Sequence, residues 1–278
     1  MRAAPWYDLP QMAHASAPIG MFDSGAGGLA VLAEVRRLLP GEDVIYYADG
    51  AYFPYGARRS DEIRARAAAV TRELLSRGAK LIVVACNTAT SAAIDQLRAG
   101  FDVPFVGMEP ALKPAAVATV RGRVALLVTP GTARGDKLAA LIDRYGVEVT
   151  VDTIEAPGLA ERVEAGKIDD EETRALVRRH LERLREDGAD VLALGCTHYA
   201  FLRAVIEQEA GEGVLVIEPS EAVARQVARV LGELGLRNPR PGGGSVRYLT
   251  SGDEAAFAET RRRLRCAGAS IPEGTDGA

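Results

Sequence analysis

Two cysteines stand 110 residues apart in near-copies of one segment, GAKLIVVACNT (78–88) and GADVLALGCTH (188–198). In each copy Gly-Ala opens an apolar run that reads as a buried strand, and a Cys comes eight positions after the Gly. A polar pair follows, Asn87-Thr88 in one copy and Thr197-His198 in the other. If the halves fold alike, Cys86 and Cys196 end equivalent strands. Matched acid/base groups on opposite sides of one atom suit inversion of a stereocentre, one thiolate removing a proton while the other thiol donates one. A free Cys has a pKa near 8.5, and a helix N-terminus contributes about 0.3–1 kcal/mol, up to ~2 when partly buried. One pKa unit is about 1.36 kcal/mol, so this placement is expected to lower a thiol by roughly a unit. His198 adds to that effect if charged, or shuttles a proton if neutral.

The elements that must position these thiols alternate regularly. APIGMFD (17–23) reads as a strand ending in Asp, SGAGG as a tight turn, and LAVLAEVRRLLP (29–40) as a helix stopped by Pro40. DVIYYAD (43–49) is a second strand and GAYFPYGARR a loop. Residues 60–77 form an amphipathic helix, opened by Ser60 with Asp61-Glu62 in its first turn. LIVVAC (81–86), TSAAIDQLR and VPFVGME (103–109) continue strand, helix, strand.

The pattern then restarts. RVALLVTPGT (123–132) repeats strand and polar turn, followed by a helix over 134–145, the strand VEVTVDTIEA (147–156) and a long charged helix over 170–187. VLALGC (191–196) matches LIVVAC, and a further helix leads to VLVIEP (214–219). Glu109-Pro110 and Glu218-Pro219 follow their cysteines at 23 and 22 residues. This matching punctuation marks an internal duplication. After it come a helix over 221–235, the loop NPRPGGG, a strand in SVRYLTSG (245–252) and a last helix carrying Cys266. The fold class is therefore α/β, with parallel sheets covered by helices. The expected division is an extension over 1–17, a first α/β domain from 18–113 with 219–278, and a second from 114–218.

In open parallel sheets ligands bind beyond the carboxyl ends of the strands. Asp23-Ser24, Tyr55-Gly56, Cys86-Asn87-Thr88, Thr129 with Thr132, and Cys196-Thr197-His198 all fall there. Two facing domains would bring them to one cleft. Hydroxyls and helix N-termini suit a carboxylate, and Asp23 suits a substrate ammonium. Cys266, in the basic helix, lacks this context and reads as an ordinary side chain, as does His180 in its charged helix.

Bulk properties narrow the function. The 278 residues are 47% hydrophobic with net charge −4 and no basic tract, which argues against a nucleic-acid partner. No apolar run reaches the ~18 residues of a membrane helix, and residues 1–17 lack a signal-peptide core. Three cysteines, two at strand ends, fit a reducing, cytoplasmic setting. Cys86, Cys196 and His198 also match a three-ligand zinc set in type, but no further Cys stands near them. GAGGLA (25–30) with Asp49 matches the dinucleotide fingerprint, although Asp23 would set a negative charge beside a pyrophosphate. The simpler use of these glycines is a turn that lets substrate approach the helix end. None of Lys80, Lys113, Lys137 and Lys167 lies at a strand's carboxyl end beside the cysteines, as a pyridoxal phosphate enzyme would need. A cofactor-free and metal-free reaction is expected.

FDSGAGGLAVL (22–32), PYG (54–56), ACNTAT (85–90), the TPGT turn (129–132) and GCTHY (195–199) together resemble the glutamate racemases of the aspartate/glutamate racemase superfamily, over about residues 18 to 260. The resemblance implies two pseudo-symmetric α/β domains with the active site in the cleft between them. It implies cofactor-independent interconversion of L- and D-glutamate, supplying D-glutamate for peptidoglycan. Cys86 and Cys196 match its proton donors and acceptors, assisted by Asp23 and His198. Asp23, Ser24, Tyr55, Gly56, Asn87, Thr88, Thr197 and His198 match its substrate contacts, with Thr129 and Thr132 near the substrate carboxylate. Glu164 resembles a family acid near the cleft. Family members differ in oligomeric state, a homodimer among them. Ala200, Gly50 and Ala156 depart from the usual Pro, Thr and Cys, and none of these positions is a thiol of the pair. A racemase of aspartate or another amino acid, and a non-catalytic amino-acid binder, are the neighbouring readings.

Overall fold

A computed structural model of the chain describes residues 14–146 and 148–277; most of the expected N-terminal extension (1–13), Val147 at the start of an expected strand, and Ala278 lie outside the described residues. The first half runs β1 (Ile19–Asp23), α1 (Leu29–Leu38), β2 (Val44–Ala48), α2 (Ser60–Ser76), β3 (Leu81–Val84), α3 (Asn87–Gly100), β4 (Phe105–Gly107) and α4 (Leu112–Ala118). The second runs β5 (Arg123–Val128), α5 (Pro130–Ala133), α6 (Asp136–Tyr145), β6 (Thr150–Glu155), α7 (Leu159–Glu164), α8 (Glu171–His180), α9 (Glu182–Asp187), β7 (Val191–Gly195), α10 (Arg203–Ala210) and β8 (Leu215–Ile217). α11 (Ser220–Glu233), β9 (Val246–Thr250), α12 (Glu254–Cys266) and β10 (Thr275–Asp276) follow.

Two sheets form, ordered β10-β9-β2-β1-β3-β4 and β6-β5-β7-β8. Every pairing is parallel, so each strand needs a crossover, and the intervening helices supply it. β2-β1-β3-β4 and β6-β5-β7-β8 are the same order shifted by four strands, which makes the duplication visible in topology. β9 extends the first sheet by pairing with β2 in register Val44 to Val246. The central strands are buried throughout, IGMFD, LIVV and VLALG alike. Such continuous apolar runs belong to strands covered on both faces.

Strand order reverses between β1 and β3, and again between β5 and β7. A crevice opens at such a switch point, beyond the strand ends. At or just beyond the ends of these four strands stand Asp23-Ser24, Cys86-Asn87-Thr88, Thr129 and Cys196-Thr197-His198.

Some local expectations change. The charged helix over 170–187 is broken at Leu181 (φ −90°, ψ 3°), whose fully buried side chain joins the core where α8 turns into α9. Ser60 is the first residue of α2 rather than its cap, because Arg59 holds the cap position in extended backbone. The short elements α4, α7 and β10 were not expected, since runs of two to seven residues carry little periodicity.

Candidate active site

Between the carboxyl ends of the two sheets lies a cavity of about 250 Å³. Its wall includes both Cys86 and Cys196, each 6% exposed and free of any disulfide. Ser24, Tyr55, Gly56, Asn87, Thr88, Thr129, Thr197 and His198 line it too. Two expected residues stand behind this wall. Asp23 is fully buried, its Oδ2 accepting from Thr197 Oγ1 at 3.0 Å and its Oδ1 from the Gly25 N–H at 2.9 Å. Burial pushes the Asp23 carboxyl up, against the opposing pull of His198 and these donors. It stands behind the lining residues and holds the Thr197 hydroxyl. Thr132 likewise sits behind, closing a ring of hydroxyls with Thr88 (3.1 Å) and Thr129 (3.0 Å), while Thr88 and Thr129 lie 3.0 Å apart.

The two sulfurs have different surroundings. Cys86 caps α3, its Sγ accepting from the Ala89 N–H at 3.4 Å, and its thiol lies 3.9 Å from Ser24 Oγ. Burial, joined by the charge of Asp23, nevertheless pushes the Cys86 thiol well above its ordinary value. Burial thus opposes the lowering expected from the helix end, where one N–H reaches the sulfur. Cys196 precedes a 3-10 helical turn (Thr197–Leu202) instead of an α-helix. Its Sγ lies 3.8 Å from His198 Nδ1, and His198 Nε2 meets Glu164 Oε1 at 2.8 Å. Burial disfavours the charged imidazole, but the Cys196 sulfur and the Glu164 carboxylate outweigh it and hold His198 well above its usual range.

The glycine turn takes on a different task from the one expected. Glu164, reaching over from α7, accepts from the Ala26 N–H in the turn that leads into α1. A Cβ at Gly25 would stand 2.0 Å from Glu164 Oε1, and one at Gly27 2.4 Å from His198 Nδ1 and 2.5 Å from Thr197 Oγ1. The glycines leave room for Glu164, Thr197 and His198 to press against the turn. Asp49 is equally committed, taking Tyr55 Oη at 2.5 Å and Arg66 at 2.7 and 3.1 Å. With a turn N–H and its acid both engaged within the chain, the dinucleotide fingerprint has a structural use here. Among the described residues no group of three His, Cys, Asp or Glu side chains is placed to hold a metal ion.

Asn87 carries the clearest unmet demand. It is 3% exposed, lines the cavity, and has no hydrogen-bond partner for either amide atom among the described residues. Buried amides are ordinarily satisfied, so a polar ligand fits here. The sequence did not single out Phe53, whose ring lies 5.4 Å from that of His198, nor Arg134 and Glu161, which also line the cavity. Phe53 could have been suspected from its place just before the PYG motif; the other two carry no spacing signal.

Residues 19–227 match the family model for Asp/Glu/hydantoin racemases. Over 247 residues the chain is 50% identical to glutamate racemase of Herpetosiphon aurantiacus, covering 89% of this chain and 97% of that protein. It is 47% identical to glutamate racemase of Deinococcus radiodurans over 261 residues, 92% and 90% of the two chains. The crystal structure of glutamate racemase from Thermus thermophilus with β-chloro-D-alanine superposes with TM-score 0.79 at 37% identity, covering 95% and 98%.

Proposed function

Since the chain belongs to the Asp/Glu/hydantoin racemase family, we propose that it racemises glutamate by proton transfer between two cysteines on opposite faces of the α-carbon. The observation that carries this reading is that both thiols line one cavity, each following one of the two duplicated strands. In one direction the Cys196 sulfur takes the α-proton as the C–H bond breaks. The carbanion's electron pair then takes the proton of the Cys86 S–H bond on the other face. The reverse reaction exchanges the roles. Burial keeps Cys86 as the thiol, which suits it to donate. His198, protonated between Cys196 and Glu164, supplies positive charge beside the second sulfur.

Asn87 and the hydroxyls of Thr88 and Thr129 offer neutral polar contacts to the substrate, with Thr197, Ser24, Tyr55 and Gly56 lining the same cavity. Thr132 braces the hydroxyls and Asp23 braces Thr197. These groups suffice for the reaction without a cofactor. The proposal extends to D-glutamate supply for peptidoglycan, to a cytoplasmic location, to a homodimer as the working assembly, and to the domain division 18–113 with 219–278 against 114–218. Among the described residues no helix is long and apolar enough to cross a membrane.

The test replaces each thiol separately. Wild type should convert L- to D-glutamate, while Cys86→Ser and Cys196→Ser each lose at least about a thousandfold in kcat. Calorimetric glutamate binding should survive both changes. Unchanged turnover in either variant would defeat the assignment, and a panel with aspartate and other amino acids decides the substrate.

A further inference from the structure

His198, Glu161 and Arg134 line the cavity and can each carry charge. His198 has both ring nitrogens engaged, and Glu161 carries the wrong sign for an anion. Arg134 is exposed yet lines the cavity, which puts it at the rim. It closes α5 and, among the described residues, makes a single long hydrogen bond, from Nη2 to the Gly56 carbonyl at 3.4 Å. Gly56 precedes α2 in the first half and Arg134 lies in the second, so this contact bridges the mouth of the cleft.

We propose that Arg134 sets the preference for amino acids with an anionic side chain, exchanging its bond to Gly56 for the distal carboxylate as the substrate seats. The inference rests on the glutamate reading above. A glutamate anion approaches a site already holding the Asp23 and Glu164 carboxyl groups, with Glu161 at the rim. The inner donors, Asn87 and the threonines, are neutral. The His198 charge is taken up by Cys196 and Glu164, whereas the Arg134 guanidinium has donors to spare for a carboxylate. Its carbonyl contact is weak enough to give up: 3.4 Å is at the long end for an N–H···O bond.

The experiment compares wild type, Arg134→Gln and Arg134→Lys in racemase kinetics and in calorimetric binding of glutamate and glutamine, at about 20 and about 300 mM salt. Arg134→Gln should raise KM and Kd for glutamate about tenfold with kcat within about twofold, and should erase most of the preference over glutamine. Arg134→Lys should recover most of the loss. Added salt should weaken glutamate binding by wild type and hardly affect Arg134→Gln. Wild type turning over normally while Arg134→Gln keeps its KM and salt response overturns this inference alone. Wild type that binds glutamate without racemising it overturns the functional reading alone, and the binding data still judge Arg134. Wild type that neither binds nor racemises glutamate overturns both.

Discussion

Cys86 and Cys196 follow matching strands, yet one sulfur meets a helix N–H and a serine while the other meets an imidazole. Their spacing was legible in the sequence; their inequality was not, because burial and the reach of Glu164 depend on the folded whole. With burial raising Cys86, the thiolate absorbance assigned by subtracting Cys86→Ser from wild type should be absent up to the ordinary thiol value of about 8.5. Half-ionisation at or below that pH would contradict the account. His198 has the opposite consequence for stability. Its folded-state value is raised, so the stabilisation it gives is complete below about pH 6.5 and is lost as pH rises through the elevated value. His198→Asn should therefore cost about 1–3 kcal/mol, most visibly at low pH. The Tm gap to wild type should narrow as the solution becomes alkaline; a gap that widens would refute the charged imidazole.

At the level of elements, the turn from β1 into α1 and the turn after β7 interlock. Gly27→Ala would drive a methyl group into His198 and Thr197, so it should cost about 1–3 kcal/mol in thermal unfolding. Because both residues adjoin Cys196, kcat should fall by about a hundredfold as well. An alanine variant with wild-type Tm and kcat would mean that the turn does not support the site. The strands and long helices were legible from apolar runs and caps, and the duplication foretold that both cysteines reach one cleft. The use of GAGG was not legible, since a glycine turn before a helix looks the same whether it cradles a phosphate or a neighbouring carboxylate. Asp49 was ambiguous for the same reason until Tyr55 and Arg66 were seen on it. The break at Leu181 escaped because the charged pattern continues across it.

At the scale of the whole molecule, two equivalent sheets form the cleft, and the end of the chain returns to brace the first of them. Lys80, at the start of β3, forms a buried ion pair with Glu42 at 2.5 Å, and the other Glu42 oxygen accepts from the Asn238 N–H at 2.7 Å. Lys80 also donates to the Ala15 carbonyl, so one pair ties four distant segments on the side of the sheet away from the cavity. Lys80→Met should cost about 3–5 kcal/mol by leaving the carboxylate unpaired, and adding Glu42→Gln should recover much of it. A denaturant midpoint that Lys80→Met leaves unmoved would remove the brace from the account. The central claim concerns the cleft itself. L-Glutamate should be incubated with the enzyme in deuterated water and both isomers isolated at early conversion. The D-isomer is expected to carry deuterium at the α-carbon while the recovered L-isomer stays unlabelled, as two separate sulfurs on opposite faces require. No D-isomer, or deuterium appearing equally in both isomers from the start, would contradict it.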